Sequence, residues 1–354
     1  EILDHRYLAG HCFYHHFKNS IMILKVTILG AGESGVGAAV LAKMQGMDVF
    51  VSDFGVIADT FKQEMADHTI PFEEGGHTMD RLLASDLIIK SPGISDKASV
   101  ILQLAEAGKN IISEIEFGYM YYEGNIIAVT GSNGKTTTSG LMYHVLRQAG
   151  VDVALGGNYG KSFARIVAEG QPEMIVLEVS SFQLDNIDKF RPDVAILLNI
   201  TPDHLDRYDY TMANYVDSKF RITMNQTPED YFVYNGDDAE IHNKLKSYTP
   251  KAQSVVIQKE QYINGIASLD GMGNFEISIK GKHNLLNAMS VVAACRILGF
   301  SERQIAAGLK NFVNLPHRLE VCGLIQGVEF INDSKATNVD SVFYALDAME
   351  KPVI

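Results

Sequence analysis

The sequence has few cysteines, and their arrangement gives no sign of a disulfide framework. The three cysteines are Cys12, Cys295 and Cys322, and no two of them form a CxxC pair. An odd number of scattered cysteines fits a reducing compartment, so a cytoplasmic location is expected. Cys295 lies within an apolar helical pattern, which predicts a core thiol at that position.

The sequence also lacks long apolar runs and an excess of positive charge. No apolar stretch approaches the ~18 residues that a membrane span requires. The formal net charge of −13 argues against broad electrostatic binding to nucleic acid or anionic lipid. Phosphate-rich ligands remain compatible with this charge, because backbone N–H groups and bound metal ions can hold phosphates. The expected partners are therefore small molecules, with no nucleic acid and no membrane, and a monomer is expected.

The length and the residue pattern predict several α/β domains. A chain of 354 residues exceeds what one hydrophobic core usually covers. From Lys25 onward, short β-rich runs alternate with helical patterns, which is typical of mostly parallel sheets. The predicted division is a non-native or disordered extension at 1–21, before a natural-looking start at Met22, then a Rossmann-like domain at 22–119, a central domain at 120–314, and the start of an incomplete third domain at 315–354.

The first glycine-rich motif is Gly30–Gly35, which matches GxGxxG between a predicted strand and a predicted helix. Asp53 follows it at the end of the next predicted strand. Glycines in this position let the backbone approach a diphosphate at a helix N-terminus. The motif alone does not separate NAD from a UDP-sugar, or either from a purely structural tight turn.

The second motif, Thr130–Thr137, predicts an ATP site more specifically. It joins the predicted strand Asn125–Thr130 to the predicted helix Lys135–Gln148. The loop amides and Lys135 can cradle phosphates, and Thr136 offers a hydroxyl to Mg²⁺. Val129 stands where the strict GxxxxGK[ST] pattern has its first glycine, and a structural turn is the alternative interpretation.

Polar residues follow two more predicted strands, Met174–Val179 and Val194–Ile200. Glu178 closes the first of them, and His204 follows the second. A carboxylate at the end of a buried strand is costly unless it is paired or binds a metal. Because ligands collect at the carboxyl ends of parallel strands, these residues and Thr130 are expected to converge on one pocket. ATP with Mg²⁺ would satisfy a phosphate cradle, a carboxylate and an imidazole together.

Other polar residues have ordinary interpretations on physical grounds. Lys219, in a predicted helix, reads as a solvated surface lysine. Asn284 and Asn287 lie one turn apart on a predicted apolar helix; an N-cap explains the first, and a ligand contact is indicated by the second. Arg318 lies in a predicted interdomain linker, where it can reach a phosphate or form an exposed ion pair.

Taken together, the residues resemble the Mur ligase family, and within it the D-glutamate-adding branch. The resemblance covers essentially everything from Met22 onward. The phosphate loop, Thr130–Thr137, is shared with sister ligases. The segments Ser180–Gln183, Pro316–Arg318 and Asn332–Asn338 are more particular to the D-glutamate-adding branch. The supporting segments are 91–94, 130–137, 177–184, 203–206, 281–284, 315–320 and 331–338.

The resemblance implies a three-domain ATP-dependent ligase of peptidoglycan precursor synthesis. Its substrates would be UDP-N-acetylmuramoyl-L-alanine and D-glutamate, joined through an acyl phosphate. Lys135 would stabilise charge on the transferring phosphoryl group. Thr136 and Glu178 would hold one Mg²⁺, and His204 and Lys219 a second, with Lys219 carbamylated by CO₂. That last role reverses the default interpretation of Lys219.

The resemblance also implies binding roles for three groups of residues. The ATP contacts would be Gly131, Ser132, Asn133, Gly134, Lys135, Thr136, Thr137, Asn284, Asn287, Arg318 and Asp333. The muramoyl and amino-acid contacts would be Asn158, Ser180, Gln183, Lys335 and Thr337. The residues bordering the uridine and its diphosphate would be Gly32, Glu33, Ser34, Asp53 and Ser91.

Three alternatives remain at this stage. The nearest is a sister ligase that adds another amino acid, or a folylpolyglutamate synthase, although a UDP-type first domain disfavours the folate enzyme. The second is a non-catalytic nucleotide-binding protein, which an incomplete third domain leaves open. The third is a dehydrogenase, disfavoured because no hydride-transfer site is evident.

Overall fold

The computed structural model describes residues 23–258, 262–263, 266–268, 274–279, 281–349 and 351–354. The predicted extension at 1–21 and Cys12 therefore lie outside the described residues. The chain forms two compact units. Unit 1 comprises the chain up to Glu123 together with Ser162–Gly170, and unit 2 comprises Gly124–Lys161 and Gln171–Ile354. The predicted domain boundaries at 119/120 and 314/315 stay predictions.

Unit 1 contains a five-stranded parallel sheet in the order β3-β2-β1-β4-β5. Its strands are β1 (Lys25–Leu29), β2 (Asp48–Ser52), β3 (Phe72–Glu73), β4 (Leu87–Lys90) and β5 (Ile111–Ser113). The strand order reverses at β1, which lies between β2 and β4. In open parallel sheets a ligand crevice forms at such a reversal, outside the carboxyl ends of the strands. The glycine motif directly follows β1.

The helices of unit 1 pack around this sheet. They are Glu33–Met44, Asp59–Asp67, Met79–Leu83, Ser99–Glu106, Glu114–Tyr119 and Phe163–Glu169. The helix Glu33–Met44 is rich in glycine, alanine and valine, and eight of its residues are buried. A Cβ on Gly37 would lie 2.2 Å from Ser162 Oγ. The small residues therefore let the helix Phe163–Glu169 approach closely.

Unit 2 is built on a six-stranded parallel sheet in the order β11-β10-β9-β6-β8-β7. Its strands are β6 (Asn125–Thr130), β7 (Val153–Gly157), β8 (Met174–Glu178), β9 (Val194–Leu197), β10 (Tyr231–Asn235) and β11 (Gln253–Ile257). Strands β6, β8 and β9 are fully buried apart from Asn125, as near-continuous apolar runs in a two-sided parallel sheet should be.

Helices and two short antiparallel sheets complete the described part of unit 2. The helices are Lys135–Gln148, Ser181–Leu184, Met212–Phe220, Ala239–Leu245, Lys282–Ile297, Glu302–Asn311 and Val339–Asp347, with 3₁₀ turns at Leu205–Tyr208 and Arg221–Thr223. The antiparallel sheets are Tyr262–Ile263 with Ile266–Ser268 and Asn274–Glu276, and Glu320–Ile325 with Val328–Asn332.

The predicted α/β class with parallel sheets is confirmed, and the predicted strand Asn125–Thr130 and helix Lys135–Gln148 have the predicted bounds. The strand predicted to run to Ile200 ends at Leu197, because the following residues turn toward the phosphate loop. Residues 352–354, which carry a strand signal, have no regular structure. Within the described ranges, no helix has both the length and the apolar character needed to cross a membrane.

Candidate active site

The polar residues predicted to converge do lie at one edge of the unit 2 sheet. Strand β6 lies between β8 and β9, and all three run in the same direction. Thr130, Glu178 and the residues after Leu197 therefore leave the sheet side by side. Strand β7, next to β8, ends at Gly157 and brings Asn158 to the same edge.

Two glycines give the loop after β6 its shape. Gly131 and Gly134 have φ angles of 154° and 85°, a region that other residues rarely adopt. A Cβ on Gly134 would lie 2.7 Å from Asn287 Oδ1, so the loop packs tightly against the helix Lys282–Ile297. The loop leads into the 14-residue helix Lys135–Gln148, whose first amides have no partner within the helix. Helix N-termini of this kind, preceded by a glycine-rich loop, are suited to bind phosphate.

Two lysines converge on the carbonyl of Gly131. Lys135 Nζ donates to Gly131 O and to Ser132 O, each at 2.8 Å. Lys219 Nζ donates to the same Gly131 O at 2.9 Å and lies 4.6 Å from the centre of the Tyr215 ring. Lys219 is 1% exposed, so the default interpretation as a surface lysine is wrong. The sequence pattern missed this burial because Lys219 lies among polar neighbours in the helix Met212–Phe220.

The environment lowers the pKa of both amines. Burial is the main cause for Lys219, and the nearby Lys135 charge acts in the same direction, so its pKa falls well below the ordinary 10.5. Asp203 and Asp185 oppose this shift. Burial likewise lowers the pKa of Lys135, although Glu178 and Asp203 partly offset it. The neutral form of the Lys219 amine is therefore more populated than in water.

Glu178 has one carboxylate oxygen available at the centre of the edge. Its Oε1 accepts a hydrogen bond from Asn158 Nδ2 at 2.9 Å. Its Oε2 is buried and has no hydrogen-bond partner among the described residues. Such an atom is costly unless something binds it, and a metal ion or a metal-bound water is suited to do so. This hydrogen bond from Asn158 fixes the orientation of the carboxylate.

Thr136, which is predicted to bind the same Mg²⁺ as Glu178, is buried. Its Oγ1 accepts a hydrogen bond from Arg318 Nη2 at 2.6 Å. The guanidinium thus lies beside the first turn of the helix Lys135–Gln148. Among the described residues, no group of three His, Cys, Asp or Glu could hold a metal by itself. This donor set suits Mg²⁺, which usually takes one or two protein ligands beside substrate phosphates and water.

His204 lies at the surface of this region. Its side chain is 58% exposed, and its Nε2 is 3.7 Å from Asp203 Oδ2. Its ring is 5.2 Å from that of Phe182. The backbone of His204 has a positive φ of 49°, so its position depends on the tight turn that precedes the 3₁₀ helix Leu205–Tyr208.

A cavity of about 620 Å³ in unit 2 extends from the phosphate loop to the helix Lys282–Ile297. Asn287 Nδ2 donates to Asn284 Oδ1 at 3.1 Å, and both side chains are buried on the shared face that their spacing predicts. Asn284 is not an N-cap, because Gly281 occupies that position. Predicted ATP and amino-acid contacts that line the cavity are Asn133, Gly134, Thr137, Asn284, Asn287, Arg318, Asp333 and Lys335.

The segment Ser180–Gln183 forms a capping box after β8. Ser180 Oγ accepts from Gln183 N, and Gln183 Oε1 accepts from Ser180 N at 2.9 Å. Gln183 Nε2 is buried without a hydrogen-bond partner in the described part of the chain. That unpaired amide suits a substrate contact, whereas the Ser180 hydroxyl is already bonded to Gln183 Oε1 at 3.1 Å.

In unit 1 the residues predicted near a uridine diphosphate surround the glycine turn after β1. Gly32 is the N-cap of the helix that contains Glu33 and Ser34, and the space around its Cα is open. One carboxylate oxygen of Asp53 accepts from Ala31 N in the turn at 2.6 Å, and the other accepts from Gly55 N in the loop after β2 at 2.7 Å.

The Glu33 carboxylate is hydrogen-bonded to residues of unit 1 that lie outside the glycine turn. Its Oε1 accepts from Ser162 N at 3.0 Å and from Arg165 Nε at 2.6 Å. The carboxylate therefore holds the start of the helix Phe163–Glu169. The GxGxxG pattern could not reveal this, because the partner lies 132 residues away in the sequence.

Four polar residues around the phosphate loop lie outside the set of predicted site residues, although the segment that begins at Asn199 is among the predicted converging strand ends. Asn199 Oδ1 accepts from Asn133 N at 2.8 Å. Tyr215 OH is 3.1 Å from Ser132 Oγ, and the i, i+4 spacing of Tyr215 and Lys219 could have revealed their shared helix face. Asn133 Oδ1 also accepts from two residues near the start of the helix Val339–Asp347, Asn338 Nδ2 at 2.9 Å and Ser341 Oγ at 2.8 Å.

Two family models match the chain. The Mur ligase middle domain matches residues 129–295, which contain the end of β6, the phosphate loop and β7–β11. The MurD N-terminal domain matches residues 25–100, which contain the glycine turn after β1.

Curated relatives match most of the chain. The UDP-N-acetylmuramoylalanine–D-glutamate ligase of Bacteroides fragilis is 45% identical over 337 residues, covering 92% of this chain and 76% of the relative. The ligase of the same name from Cytophaga hutchinsonii is 46% identical over 349 residues, covering 94% of this chain and 78% of the relative.

Solved structures share the fold at lower identity. The UDP-N-acetylmuramate:L-alanyl-γ-D-glutamyl-meso-diaminopimelate ligase from Neisseria meningitides aligns with a TM-score of 0.62 at 22% identity, covering 83% of this chain and 99% of that one. The UDP-N-acetylmuramate–alanine ligase from Thermotoga maritima aligns with a TM-score of 0.58 at 21% identity, covering 92% and 77%. Given the phosphate loop and the identities to curated relatives, the chain belongs to the Mur ligase family.

Proposed function

We propose that this protein is an ATP-dependent ligase that joins D-glutamate to the carboxyl group of UDP-N-acetylmuramoyl-L-alanine, in peptidoglycan precursor synthesis. The substrates are those named in the curated relatives at 45% and 46% identity. One structural observation supports the chemistry most directly. The unpaired Glu178 Oε2 and the two lysines at the Gly131 carbonyl lie at the edge where the phosphate loop begins.

The reaction needs the substrate carboxylate to become an acyl donor. A carboxylate oxygen attacks the γ-phosphorus of ATP, ADP leaves, and the resulting acyl phosphate carries a phosphate leaving group. The amine of D-glutamate then attacks the acyl carbon, and inorganic phosphate departs. The protein's part is to position the reactants and to stabilise charge on the transferring group.

Separate groups of residues would bind the phosphates, the metal ion and the nucleoside. The amides of the Gly131–Gly134 loop bind the phosphates, and Lys135 and Arg318 stabilise negative charge as it moves to the leaving oxygen. Thr136 Oγ1 and Glu178 Oε2 would hold Mg²⁺, which would offset the negative charge of the phosphates. Asn158 keeps the carboxylate in place. Asn284 and Asn287 would contact the nucleoside in the adjoining cavity.

Lys219 is proposed to carry a carbamate that serves a second Mg²⁺ together with His204. A neutral amine attacks CO₂ and loses a proton, which exchanges a cation for a carboxylate-like anion. The lowered pKa of Lys219 favours the neutral amine that this addition requires. The product would stand beside the Lys135 ammonium, so opposite charges would replace two like charges at the Gly131 carbonyl.

Other residues would bind the remaining parts of the two substrates. The turn at Gly32 and Ser34, with Ser91 beside it, would bind the uridine diphosphate, and Gln183 Nε2 the muramoyl peptide. Lys335 and Thr337 would contact the amino acid. We place the enzyme in the cytoplasm as a monomer, with domains at 22–119, 120–314 and from 315 onward.

Phosphate release measures this function directly. The chain is incubated with Mg-ATP, UDP-N-acetylmuramoyl-L-alanine and one amino acid from a panel of D- and L-isomers. We expect release that requires all three components and selects D-glutamate, lost in Lys135→Ala and retained in the exposed-site variant Lys43→Ala. Selection of L-alanine would instead indicate a sister ligase, and release without the muramoyl substrate would contradict the proposal.

A further inference from the structure

Lys90 is one of the largest fully buried side chains in the protein, and the chemistry above gives it no role. It is the last residue of β4, and it is 1% exposed. Burying an ammonium group is costly unless its charge is paired and its protons are hydrogen-bonded. An aliphatic residue would fill the same strand position without this cost, so the partners of the ammonium indicate what it does.

Both partners lie in the segment that follows β4. Lys90 Nζ donates to Ile94 O at 3.1 Å and forms a hydrogen-bonded ion pair with Asp96. The Asp96 side chain is 47% exposed, whereas that of Lys90 is 2% exposed. The lysine therefore reaches from the core to the Ser91–Asp96 segment and fixes that segment against the end of the strand.

The Ser91–Asp96 segment lies against the glycine turn after β1. Ser91 Oγ donates to Gly30 O at 3.3 Å. A Cβ on Gly30 would lie 2.7 Å from Ser91 Oγ and 3.5 Å from Ile94 Cδ1, so only glycine fits between them. Strands β1 and β4 are neighbours at the point where the strand order reverses. The segment is thus one wall of the crevice in which the carboxyl ends of β1 and β4 meet.

The structure assigns Lys90 as a positioning residue for the uridine diphosphate moiety, acting through the Ser91–Asp96 segment. The inference rests on the proposed function, which places that moiety beside the glycine turn. The ammonium bonds both the middle and the end of the segment, so it fixes Ser91 and Ile94 relative to Gly30 before a ligand arrives. A pre-ordered wall lowers the ordering cost of binding.

The test compares binding of two ligands by the whole chain. Calorimetry gives the Kd for UDP-N-acetylmuramoyl-L-alanine and the Kd for Mg-ATP in the natural chain, in Lys90→Met, in Asp96→Asn and in the exposed-site control Lys43→Met. Melting curves are recorded for each, and binding is measured well below the lowest Tm. We expect Lys90→Met to bind the UDP compound about tenfold more weakly, with unchanged affinity for Mg-ATP.

Asp96→Asn keeps the ammonium and removes its charged partner, and it decides the result if Lys90→Met does not fold. A smaller loss of affinity for the UDP compound supports the positioning role. Unchanged affinity in either folded variant overturns it. Tighter binding in Asp96→Asn also overturns it, because an ammonium that contacts the diphosphate directly would gain from losing a competing carboxylate.

Hydrogen exchange separates a local loss of order in the Ser91–Asp96 segment from a general loss of stability, while the affinity for the UDP compound separates positioning from a merely structural role. The amides of Ile94 and Ala98 donate to Ser91 O and Ser95 O in the natural chain. In Lys90→Met these two amides should exchange faster, while those of β1 keep their protection. Equal acceleration in β1 would mean a general loss of stability and would overturn the assignment. If the natural chain itself fails to bind the UDP compound, the proposed function fails at unit 1, independently of Lys90.

Discussion

Lys219 owes its chemistry to what surrounds it rather than to its type. A lysine in water carries its proton at neutral pH, but this one is buried beside Lys135 and shares the Gly131 carbonyl with it. Both the burial and the second amine favour loss of the proton. This shift favours the neutral amine that the proposed carbamylation requires.

Replacing Lys219 by alanine tests the carbamate. We expect phosphate release to fall about a hundredfold or more, as is typical when a group stabilising developing charge is removed. Acetate or bicarbonate should partly restore activity, since a small carboxylate fits the space that the side chain leaves. Lys219→Arg, which cannot be carbamylated, should stay inactive. Full activity in Lys219→Ala, or no rescue of a folded variant, would contradict the carbamate.

Glu178→Gln removes a charge but retains the acceptor that Asn158 uses. If Glu178 Oε2 holds Mg²⁺, the variant should need a Mg²⁺ concentration about ten- to a hundredfold higher for half-maximal phosphate release. The variant Glu173→Gln, at an exposed position just before β8 and so at the opposite end of that strand from Glu178, serves as the control. An unchanged Mg²⁺ dependence in Glu178→Gln would exclude this residue as a metal ligand.

The sequence predicted how the strand ends converge, because that follows from parallel topology alone. Glu178 and the loop from Thr130 are neighbours for this reason. It did not predict the burial of Lys219, which depends on how the helix Met212–Phe220 packs. Nor did it predict that the carboxylates of Glu33 and Asp53 would accept hydrogen bonds from other residues of the protein, since a motif specifies residue types and not hydrogen bonds.

Among the helices, the pair Glu114–Tyr119 and Phe163–Glu169 has an unusual polar contact. Glu114 is 1% exposed, and its Oε1 accepts from Ala164 N at 2.6 Å, in the first turn of the second helix. Its Oε2 is buried and without a hydrogen-bond partner among the described residues. Burial raises the pKa of Glu114 to about 7, and the nearby Glu33 charge adds to the rise.

This raised pKa predicts a pH-dependent stability of unit 1. Between about pH 4.5 and 7 the folded state holds a proton that the unfolded chain has released, so stability falls as pH rises through this window. The contribution that is lost by pH 8 is up to about 3 kcal/mol, at 1.36 kcal/mol for each pKa unit. Glu114→Gln, which stays neutral, should abolish this part of the pH dependence.

Urea titrations at pH 5 and pH 8, followed by hydrogen exchange of the β1 amides, measure this effect. The natural chain should lose more stability between the two pH values than Glu114→Gln does. Glu106→Gln, at an exposed position of unit 1, should behave like the natural chain. Equal pH dependence in all three would mean that Glu114 is ionised in the folded state at both pH values.

The sequence alone could not predict that these two helices pack against each other. Each is short, and 43 residues lie between the end of one and the start of the other. A Cβ on Gly118 would lie 2.8 Å from the Phe163 ring. From the sequence, however, this glycine indicates only a weak helix former. Close packing across such a separation is decided by the fold as a whole.

At the scale of the molecule, Mg-ATP should stabilise unit 2. A ligand at a hundred times its Kd adds about 2.7 kcal/mol to the stability of the state that binds it. Hydrogen exchange should therefore slow in the helices Lys135–Gln148 and Lys282–Ile297. Lys135→Ala should weaken this protection, and Lys43→Ala should not. Protection confined to β1 would instead place the nucleotide at the glycine turn of unit 1.

The helix Phe163–Glu169 belongs to unit 1, although the chain on both sides of it belongs to unit 2. Neither unit can therefore be cloned as an uninterrupted stretch of gene. A fragment ending at Glu123 would lack the partner of Gly37 and of Glu114, and would expose the apolar faces that receive it. Supplying residues 162–170 as a separate peptide, or fusing them through a linker, is the condition for studying unit 1 in isolation.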